Sequence, residues 1–380
     1  MSARPAPVTY CTNIHPGESW DETRRNLEAH TLAVKAAVCP DDPFPVGLRV
    51  SGLASRQVDG GEALRFKDWM GEHGLYVATV NGFPFGTFHG TPVKSGVYLP
   101  DWRDPARLEY TLRLAELLAV WLPEGMDGSI SSVPVGFTAD FDLAQEGMAL
   151  ATIGKALEGL DRIAQRTGKL IRLSVEPEPG CLVETTPQLV SLFERLALPE
   201  NLRAHLAACY DCCHQALQFE DPAWSLTLLA DNAIEIGHVQ VSSALNLPCP
   251  ALSCLSRFDE PVYLHQCVFR DGSGKLERFD DLGQALGWVK GVPADPSPRP
   301  DFGGAPSWRV HFHLPVFLEE LSECSTTQAF LRDFLPLVPA HVPLEVETYT
   351  FSVLPKELQT PTVVESIVRE IEWVEACRRG

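Results

Sequence analysis

The sequence alternates between short runs rich in β-branched and aromatic residues and longer amphipathic stretches. The short runs are typical of β-strands, whereas apolar residues repeated every three or four positions indicate helices. Because strands that alternate with helices pair side by side in the same direction, this pattern predicts a parallel sheet covered by helices. The predicted strands are 8–14, 47–52, 75–82, 128–136, 170–180, 203–211, 234–243 and 344–351.

The predicted helices carry their own boundary signals. Asp104, Thr186 and Asp221 each precede a proline, an arrangement typical of a capping side chain at the start of a helix. Gly168 follows the apolar pattern of 144–166, as a glycine at a helix C-terminus does. Eight strand–helix units therefore predict an α/β fold, a (β/α)8 TIM barrel, with residues 1–380 as one domain.

The alternation is interrupted after the seventh strand. The DGSG sequence at 271–274 predicts a hairpin turn, a short helix follows around 279–289, and 309–317 is an additional extended segment. The region 245–317 contains few apolar residues for a separate core. We therefore expect it to be an elaborated loop insertion over the mouth of the barrel.

Charge and hydropathy limit the classes of partner. The chain carries 31 Lys and Arg against 50 Asp and Glu, a net charge of −19, which disfavours a nucleic-acid partner. No apolar run is long enough for a membrane span, and the first residues do not resemble a signal peptide, so we expect a cytoplasmic protein without direct membrane insertion. A small molecule is the expected partner. The clustered Cys209, Cys212 and Cys213 are expected to be packing thiols rather than a structural zinc site.

Polar side chains gather at the ends of four successive predicted strands. Function in such barrels is concentrated where strands end and βα loops begin. Alternate residues of a strand share one side, so residues two positions apart point the same way. The candidates are Glu176 and Glu178; Asp211 and His214; His238, Gln240 and Ser242; Glu345 and Glu347; and, in the insertion, His311 and His313.

This set of donors predicts a divalent metal centre. Carboxylate, amide and imidazole ligands suit Mn²⁺, Zn²⁺, Mg²⁺ or Co²⁺. Such an ion polarises a hydroxyl–ketone pair while a neighbouring carboxylate moves a proton, as aldose–ketose isomerisation and epimerisation require. His238 and Glu345 lie deeper in their strands, and a hydrogen-bonded core histidine is an equally good interpretation of His238.

Further candidates come from the loops that should face the same mouth. Phe83, Phe85, Trp102 and Trp308 are candidates for an apolar wall, although loop packing explains them equally well. Lys94 is a candidate for holding a carboxylate, phosphate or enediolate oxygen. The candidate substrate contacts are Asn13, His15, Asn81, His89, Lys94, Glu178, His265, His311 and His313.

Several of these motifs resemble a known superfamily. The string 176–180 (EPEPG), the Asp211-x-x-His214 pair, HVQVSS at 238–243 and Glu347 after LEV resemble the xylose-isomerase-like TIM barrels. That superfamily contains sugar isomerases, ketose epimerases and AP endonucleases of the endonuclease IV type. Within it, the chain looks like the bacterial metabolite-traffic family EboE, on the stretches 80–90, 93–102, 263–266, 309–317 and 344–355.

The resemblance implies a ligand set and one departure from it. It implies a metal held by Glu176, Asp211, a seventh-strand residue and Glu347, with catalysis by Glu176, Glu347 and His214. His214 would contact the substrate or a second metal. The seventh strand usually offers a histidine, but here the position is Gln240. Either Gln240 coordinates, or His238 or His313 replaces it, or the metal is bound loosely or not at all.

Three functions compete at this point. The first is a metal-dependent sugar or cyclitol isomerase or epimerase. The second is a non-catalytic barrel that binds or hands on a metabolite, and the third is an AP-endonuclease-type phosphodiesterase, which the acidic charge disfavours. The gene neighbourhood of the EboE family implies a role in secondary-metabolite biosynthesis or export, with possible partners encoded in the same gene cluster.

Overall fold

The computed structural model describes residues 8–248, 251–291, 306–322 and 324–379. Seven of the predicted strands come first along the chain. Six lie within their predicted ranges and are shorter, whereas the second begins and ends three residues before its predicted range of 47–52. They are β1 (Val8–Tyr10), β2 (Phe44–Arg49), β3 (Leu75–Asn81), β4 (Gly128–Ser132), β5 (Ile171–Val175), β6 (Leu206–Asp211) and β7 (Ile236–Val241).

After β7 the chain builds a second, antiparallel sheet of six strands in the order β10-β9-β11-β8-β13-β12. The predicted hairpin is present: β9 pairs with β10 across the DGSG turn, where the amide of Asp271 donates to the carbonyl of Lys275 at 3.0 Å. The sheet also runs past the predicted limit of residue 317. Its strands are β8 (Ser243–Pro248), β9 (Cys267–Arg270), β10 (Leu276–Phe279), β11 (Ser307–Leu314), β12 (Glu320–Leu321) and β13 (Cys324–Thr326).

The last strand, β14 (Leu344–Val346), returns to the barrel between β1 and β7. Every pair in this eight-stranded sheet is parallel, in the order β1-β14-β7-β6-β5-β4-β3-β2. A parallel bridge between Cys11 and Gly47 joins the two ends of the sheet. The predicted eight-stranded α/β barrel is confirmed.

Helices cover the outside of the barrel. The α1 and α2 helices are continuous through a π-helical turn at Leu27–Thr31. The helices are α1 (Trp20–Asn26), α2 (Leu32–Val38), α3 (Gly52–Gln57), α4 (Gly60–Glu72), α5 (Pro105–Trp121), α6 (Glu146–Thr167), α7 (Thr186–Leu196), α8 (Glu200–Arg203), α9 (Cys212–Leu217), α10 (Pro222–Asp231), α11 (Leu282–Gly291), α12 (Gln328–Phe334) and α13 (Val363–Arg379).

The predicted helix caps are largely confirmed. Asp104 and Asp221 accept backbone hydrogen bonds at the starts of α5 and α10. For α7 the predicted cap was one residue too late. Thr185 rather than Thr186 accepts from the amide of Gln188, because the amide of Thr185 donates back to Gln188 Oε1 and completes a capping box there. None of the helices in the described ranges combines the length and hydropathy that a membrane span requires.

Two apolar clusters stabilise the molecule. The larger one fills the space between the barrel strands and their helices. The smaller one lies between the second sheet and α11, around Trp308, which packs against Phe269, Phe279 and Trp288. The insertion thus has more buried apolar surface than its sequence indicates. That residues 1–380 form one domain stays a prediction.

Candidate metal centre

Three carboxylates meet at the C-terminal mouth of the barrel. Glu176 follows β5, Asp211 ends β6 and Glu347 follows β14, strands that lie close together in the barrel order. One ligand oxygen from each lies within 4.8 Å of the other two, and all three side chains are buried. The structure therefore brings together three of the predicted metal ligands.

Hydrogen bonds hold these carboxylates but leave some oxygens bare. Asp211 caps α9: its Oδ1 accepts from the amide of His214 at 2.9 Å, and from Ser242 Oγ at 2.8 Å. Glu347 Oε1 accepts from three side-chain amides. By contrast, Glu176 Oε2 and Asp211 Oδ2 are buried without a hydrogen-bond partner. Bare, buried anionic oxygens are costly unless a cation binds them.

The three carboxylates influence one another's ionisation because they are buried close together. Burial, followed by the charges of Asp211 and Glu178, raises the pKa of Glu176 well above its ordinary value. Burial, followed by Glu176 and Asp211, raises the pKa of Glu347 in the same way. Burial opposes ionisation of Asp211 too, but His214 and His313 outweigh it and its pKa is lowered. A divalent cation in this group would therefore compete with protons.

Three histidines form a second group beside the carboxylates, which we call the imidazole cluster: His214, His311 and His313. The Nε2 atoms of His214 and His311 are 3.2 Å apart, and those of His311 and His313 are 3.0 Å apart. His214 belongs to α9, whereas the other two belong to β11 of the second sheet. Their predicted common direction along the strand is thus confirmed.

The outer nitrogen of each ring in the imidazole cluster is occupied. Nδ1 of His214 donates to the carbonyl of Pro177 at 2.9 Å, and Nδ1 of His313 to the carbonyl of Glu347 at 2.8 Å. Nδ1 of His311 meets Gln266 Oε1 at 2.7 Å, and the Gln266 amide nitrogen donates elsewhere. With the proton on Nδ1, the neutral rings of His311 and His313 present their Nε2 lone pairs inward, whereas Nε2 of His214 also lies 3.1 Å from Glu178 Oε2.

Converging lone pairs make the imidazole cluster suited to a cation. Burial first, then the neighbouring histidines, lowers the pKa of His311 well below its ordinary value, and burial lowers that of His313 to about 4. Asp211 Oδ1 and Glu178 Oε2 lie 3.8 and 3.1 Å from Nε2 of His214, and the thiol of Cys213 lies within 4.8 Å of a nitrogen of His311 and of His313. Cys213 is a buried free thiol, as predicted.

Gln240 and His238 lie below the carboxylates, inside the barrel. Gln240 Nε2 donates to Glu347 Oε1 at 3.1 Å, and its Oε1 accepts from Cys209 Sγ at 3.3 Å. His238 is one layer deeper, with Nδ1 at 2.6 Å from Ser129 Oγ and Nε2 at 3.4 Å from Glu345 Oε1. The structure thus ties Gln240 directly to a candidate ligand and places His238 in a buried polar layer of the core.

A cleft lined by Glu176, Glu347 and the three rings of the imidazole cluster opens onto both groups. Asn13, Asn81, Lys94, Glu178 and the imidazole cluster line it, and all of these except His214 are candidate substrate contacts from the sequence. Of the predicted aromatic wall, Phe83 lines the cleft, whereas Trp102 and Trp308 are buried in the two apolar clusters. The other aromatic residues that line it are Phe88, Tyr98, Tyr263 and Tyr349.

Three predicted substrate contacts do not line this cleft in the described part of the chain. His15 stacks on His30 at 4.3 Å and bonds to Tyr10. His89 uses its two nitrogens on the carbonyl of Asn13 and the hydroxyl of Tyr263. His265 uses its nitrogens on the carbonyl of His311 and on Glu260. His89 and His265 thus hold residues that line the cleft, whereas the partners of His15 lie outside its lining.

Sequence reasoning missed three residues that shape the site. Tyr98 donates to Glu178 Oε1 at 3.0 Å, Gln266 orients His311, and Tyr349 packs on His313 with ring centroids 4.6 Å apart. Gln266 follows a histidine in the YLHQ stretch, but nothing in that stretch indicates its partner. The sequence signal that could have found Tyr349 is its position two residues after the predicted ligand Glu347.

Solved structures show the fold. No protein-family model matches the chain, and neither does any curated protein. A xylose isomerase-like TIM barrel protein from Mycobacterium smegmatis, solved in complex with magnesium, matches at 10% identity and a TM-score of 0.53, over 99% of this chain and 97% of that one.

Two other solved structures are similar at lower scores. The IOLI protein with a bound zinc atom matches at 14% identity, over 98% of both chains, with a TM-score of 0.47. A D-allulose 3-epimerase from Methylomonas sp., in complex with D-allulose, matches at 14% identity over 69% of this chain and 83% of that one, with a TM-score of 0.42. With the barrel topology and the magnesium-complexed neighbour taken together, this chain has the fold of a xylose-isomerase-like TIM barrel.

Proposed function

We propose that the chain is a metal-dependent isomerase or epimerase that acts on a sugar or cyclitol. The observation that carries the proposal is the group of three buried carboxylates, in which Glu176 Oε2 and Asp211 Oδ2 have no partner. A divalent ion such as Mg²⁺, Mn²⁺, Co²⁺ or Zn²⁺ fits these oxygen donors and offsets their charge. The magnesium in the similar Mycobacterium smegmatis structure supports the same assignment.

The proposed chemistry is proton transfer next to a carbonyl. A bound ion would polarise the oxygens of a hydroxy ketone, which acidifies the carbon–hydrogen bond between them. Glu176 and Glu347, which flank the ion position, are the candidates for taking that proton and returning it. His214 lies beside them: its Nδ1 donates to the carbonyl of Pro177, and its Nε2 lies 3.1 Å from Glu178 Oε2.

The imidazole cluster extends the proposal to a second ion position. The Nε2 atoms of the cluster point inward, and Asp211 lies between the cluster and the other carboxylates. In His214 and His313 the other ring nitrogen donates to a backbone carbonyl, as it commonly does in histidines that bind a metal. Nitrogen donors favour Zn²⁺ or Co²⁺ over Mg²⁺. His214 is therefore both a candidate ligand and a candidate substrate contact, as the resemblance implies.

A non-catalytic barrel is the second candidate, and the state of Gln240 favours it. The Gln240 amide bonds to Glu347 and Cys209. The seventh-strand side chain that bonds to the candidate ligand Glu347 is therefore an amide and not an imidazole. A barrel of this kind would bind a metabolite and hand it on. The resemblance to the EboE family leads us to propose, for either candidate, a place in secondary-metabolite biosynthesis or export.

The metal content of the purified protein tests whether the three carboxylates bind a divalent metal. Protein purified without chelator should carry about one or more equivalents of a divalent metal, and Glu176→Gln/Glu347→Gln should lose most of it. The matched control is Glu72→Gln/Glu158→Gln, which removes two exposed carboxylates from the outer helices. Equal, near-stoichiometric metal in wild type and the site variant would contradict the ligand assignment.

Deuterium exchange separates the enzyme from the carrier. Metal-loaded protein in D₂O is incubated with a panel of free ketoses and keto-cyclitols, and proton NMR follows the hydrogen next to the carbonyl. An isomerase or epimerase should exchange it in at least one compound, and the site variant should not. Bound metal and bound ligand without exchange would support the carrier instead.

A further inference from the structure

We propose that Arg270 and Arg309 bind a phosphate-type oxyanion at a site outside the barrel-mouth cleft, where the second sheet meets the end of α9. The site shares no side chain with the candidate metal centre, so the inference stands apart from the proposed function. It is carried by two guanidinium groups that contact one aromatic ring and have no acidic partner in the described ranges.

Three arginines lie on one face of the second sheet. Val268 of β9 pairs with Arg309 of β11 on one side and with Arg278 of β10 on the other. Paired residues of neighbouring antiparallel strands point to the same face, and so does Arg270, two positions after Val268. In a chain of net charge −19, this face therefore concentrates positive charge.

One of the three arginines is already neutralised. Arg278 donates through Nε to Gln218 Oε1 at 2.9 Å and lies 3.7 Å from Glu184 Oε2. In the part of the chain that the structure describes, the other two form no ion pair, and Arg270 makes no side-chain hydrogen bond. The charges of Arg270 and Arg309 are therefore available to a ligand.

The ring of Phe219 holds these two guanidinium groups together. Their central carbons lie 4.4 Å (Arg270) and 4.1 Å (Arg309) from the ring centroid. Among the described residues, this is the one aromatic ring that two arginines contact. Contact with a ring restrains a guanidinium, so both groups of donors are oriented before a ligand arrives.

Backbone strain indicates that the ring itself is needed at this position. Phe219 has a φ of +59°, a left-handed conformation that bulky residues seldom adopt. It directly follows Gln218, the C-cap of α9, where a glycine would adopt this conformation without strain. What phenylalanine supplies in place of that relief is the surface that both arginines contact.

The end of α9 accounts for one of the two charges but not for the other. Arg309 Nη1 donates to the carbonyl of Ala216 in the last turn of α9, a favourable place for a cation. Arg270 has no such bond, and its charge acts on Arg309: burial first, then Arg270, lowers the pKa of Arg309 to about 10. An oxyanion with two negative charges would offset both guanidinium groups and accept hydrogen bonds from both.

Calorimetric titration with inorganic phosphate at pH 8 and low ionic strength tests the site, with glycerol 3-phosphate and malonate as comparison ligands. Arg270→Gln removes one guanidinium without breaking a described hydrogen bond. Arg56→Gln is the matched control, because Arg56 lies alone over the ring of Phe85, at 5.8 Å. Glu176→Gln/Glu347→Gln controls for phosphate that binds to a metal ion in the cleft.

Wild type should bind phosphate with a Kd of about 1 mM or below, and added salt should weaken the binding. Arg270→Gln should weaken it about tenfold or more, whereas Arg56→Gln and the metal-site double variant should match wild type. Arg270→Lys keeps the charge but not the fork of donors, and its affinity should lie between those of wild type and Arg270→Gln. Whichever of phosphate and glycerol 3-phosphate binds more tightly identifies the ligand as the free ion or a monoester.

Three results would overturn the inference. They are no binding of phosphate by wild type, full binding by Arg270→Gln, and tighter binding of malonate than of phosphate. Binding that is lost in the metal-site double variant but kept in Arg270→Gln would also overturn it, because the phosphate would then lie on an ion in the cleft. That last result would leave the proposed function standing, and a protein that binds phosphate but no metal would contradict the proposed function alone.

Discussion

Replacing Glu370 by Gln should stabilise the protein above neutral pH. Glu370 lies in α13 and is fully buried behind β14. Its Oε2 accepts from Thr348 Oγ1 at 2.6 Å and from the amide of Val316 at 3.2 Å, and its Oε1 lies 3.2 Å from Ser366 Oγ. A glutamine keeps the acceptor and can donate to Ser366. The substitution therefore changes the charge and little else.

The magnitude follows from the pKa. Burial raises the pKa of Glu370 from 4.5 to about 7, and hydrogen bonds from Thr348 and Val316 oppose this only in part. The folded chain thus holds a proton that the unfolded chain releases near pH 4.5. The stabilisation that this group gives the folded chain is fully present below pH 4.5. It is lost as the pH rises to about 7. A difference of about 2.5 pH units corresponds to about 3 kcal/mol.

Urea unfolding between pH 4.5 and 8.5 measures this effect. Glu370→Gln should match wild type within about 1 kcal/mol at pH 4.5 and exceed its free energy of unfolding by up to about 3 kcal/mol at pH 8. Glu372→Gln, on the exposed side of the same helix, should leave the pH profile unchanged. A difference between Glu370→Gln and wild type that is constant across this range would refute the reasoning.

Three further outcomes are expected. Gln240→His should tighten Mn²⁺ or Zn²⁺ binding about tenfold, because imidazole is a better ligand than an amide. Calorimetric titration of metal-stripped protein measures this. Unchanged affinity would mean that the side chain at position 240 does not bind the metal. Trp308→Ala should lower the free energy of unfolding by about 3–5 kcal/mol in urea, since it empties the centre of the smaller apolar cluster; a loss below about 1 kcal/mol would contradict that packing. Stripping the metal with EDTA should lower Tm, because an ion at a hundred times its Kd stabilises the folded chain by about 2.7 kcal/mol, and an unchanged Tm would argue against a tightly bound ion.

The sequence by itself determined the barrel and its three carboxylates. Strand and helix periodicities are local, so the eight strands could be located without any knowledge of their neighbours. Parallel strands of a barrel all end at one mouth, so Glu176, Asp211 and Glu347 had to approach one another once the strand ends were known. The Asp211–His214 spacing was equally local, because Asp211 caps the helix on which His214 lies.

Only the tertiary structure decided what faces the cleft. The second sheet sets His311 against His214, 97 residues away, and Asp281 against Lys94, 187 residues away. The same packing engages the ring nitrogens of His89 and His265 with wall residues. Contacts between distant segments depend on how the second sheet docks over the barrel mouth, and a local pattern of residue types carries no record of that docking.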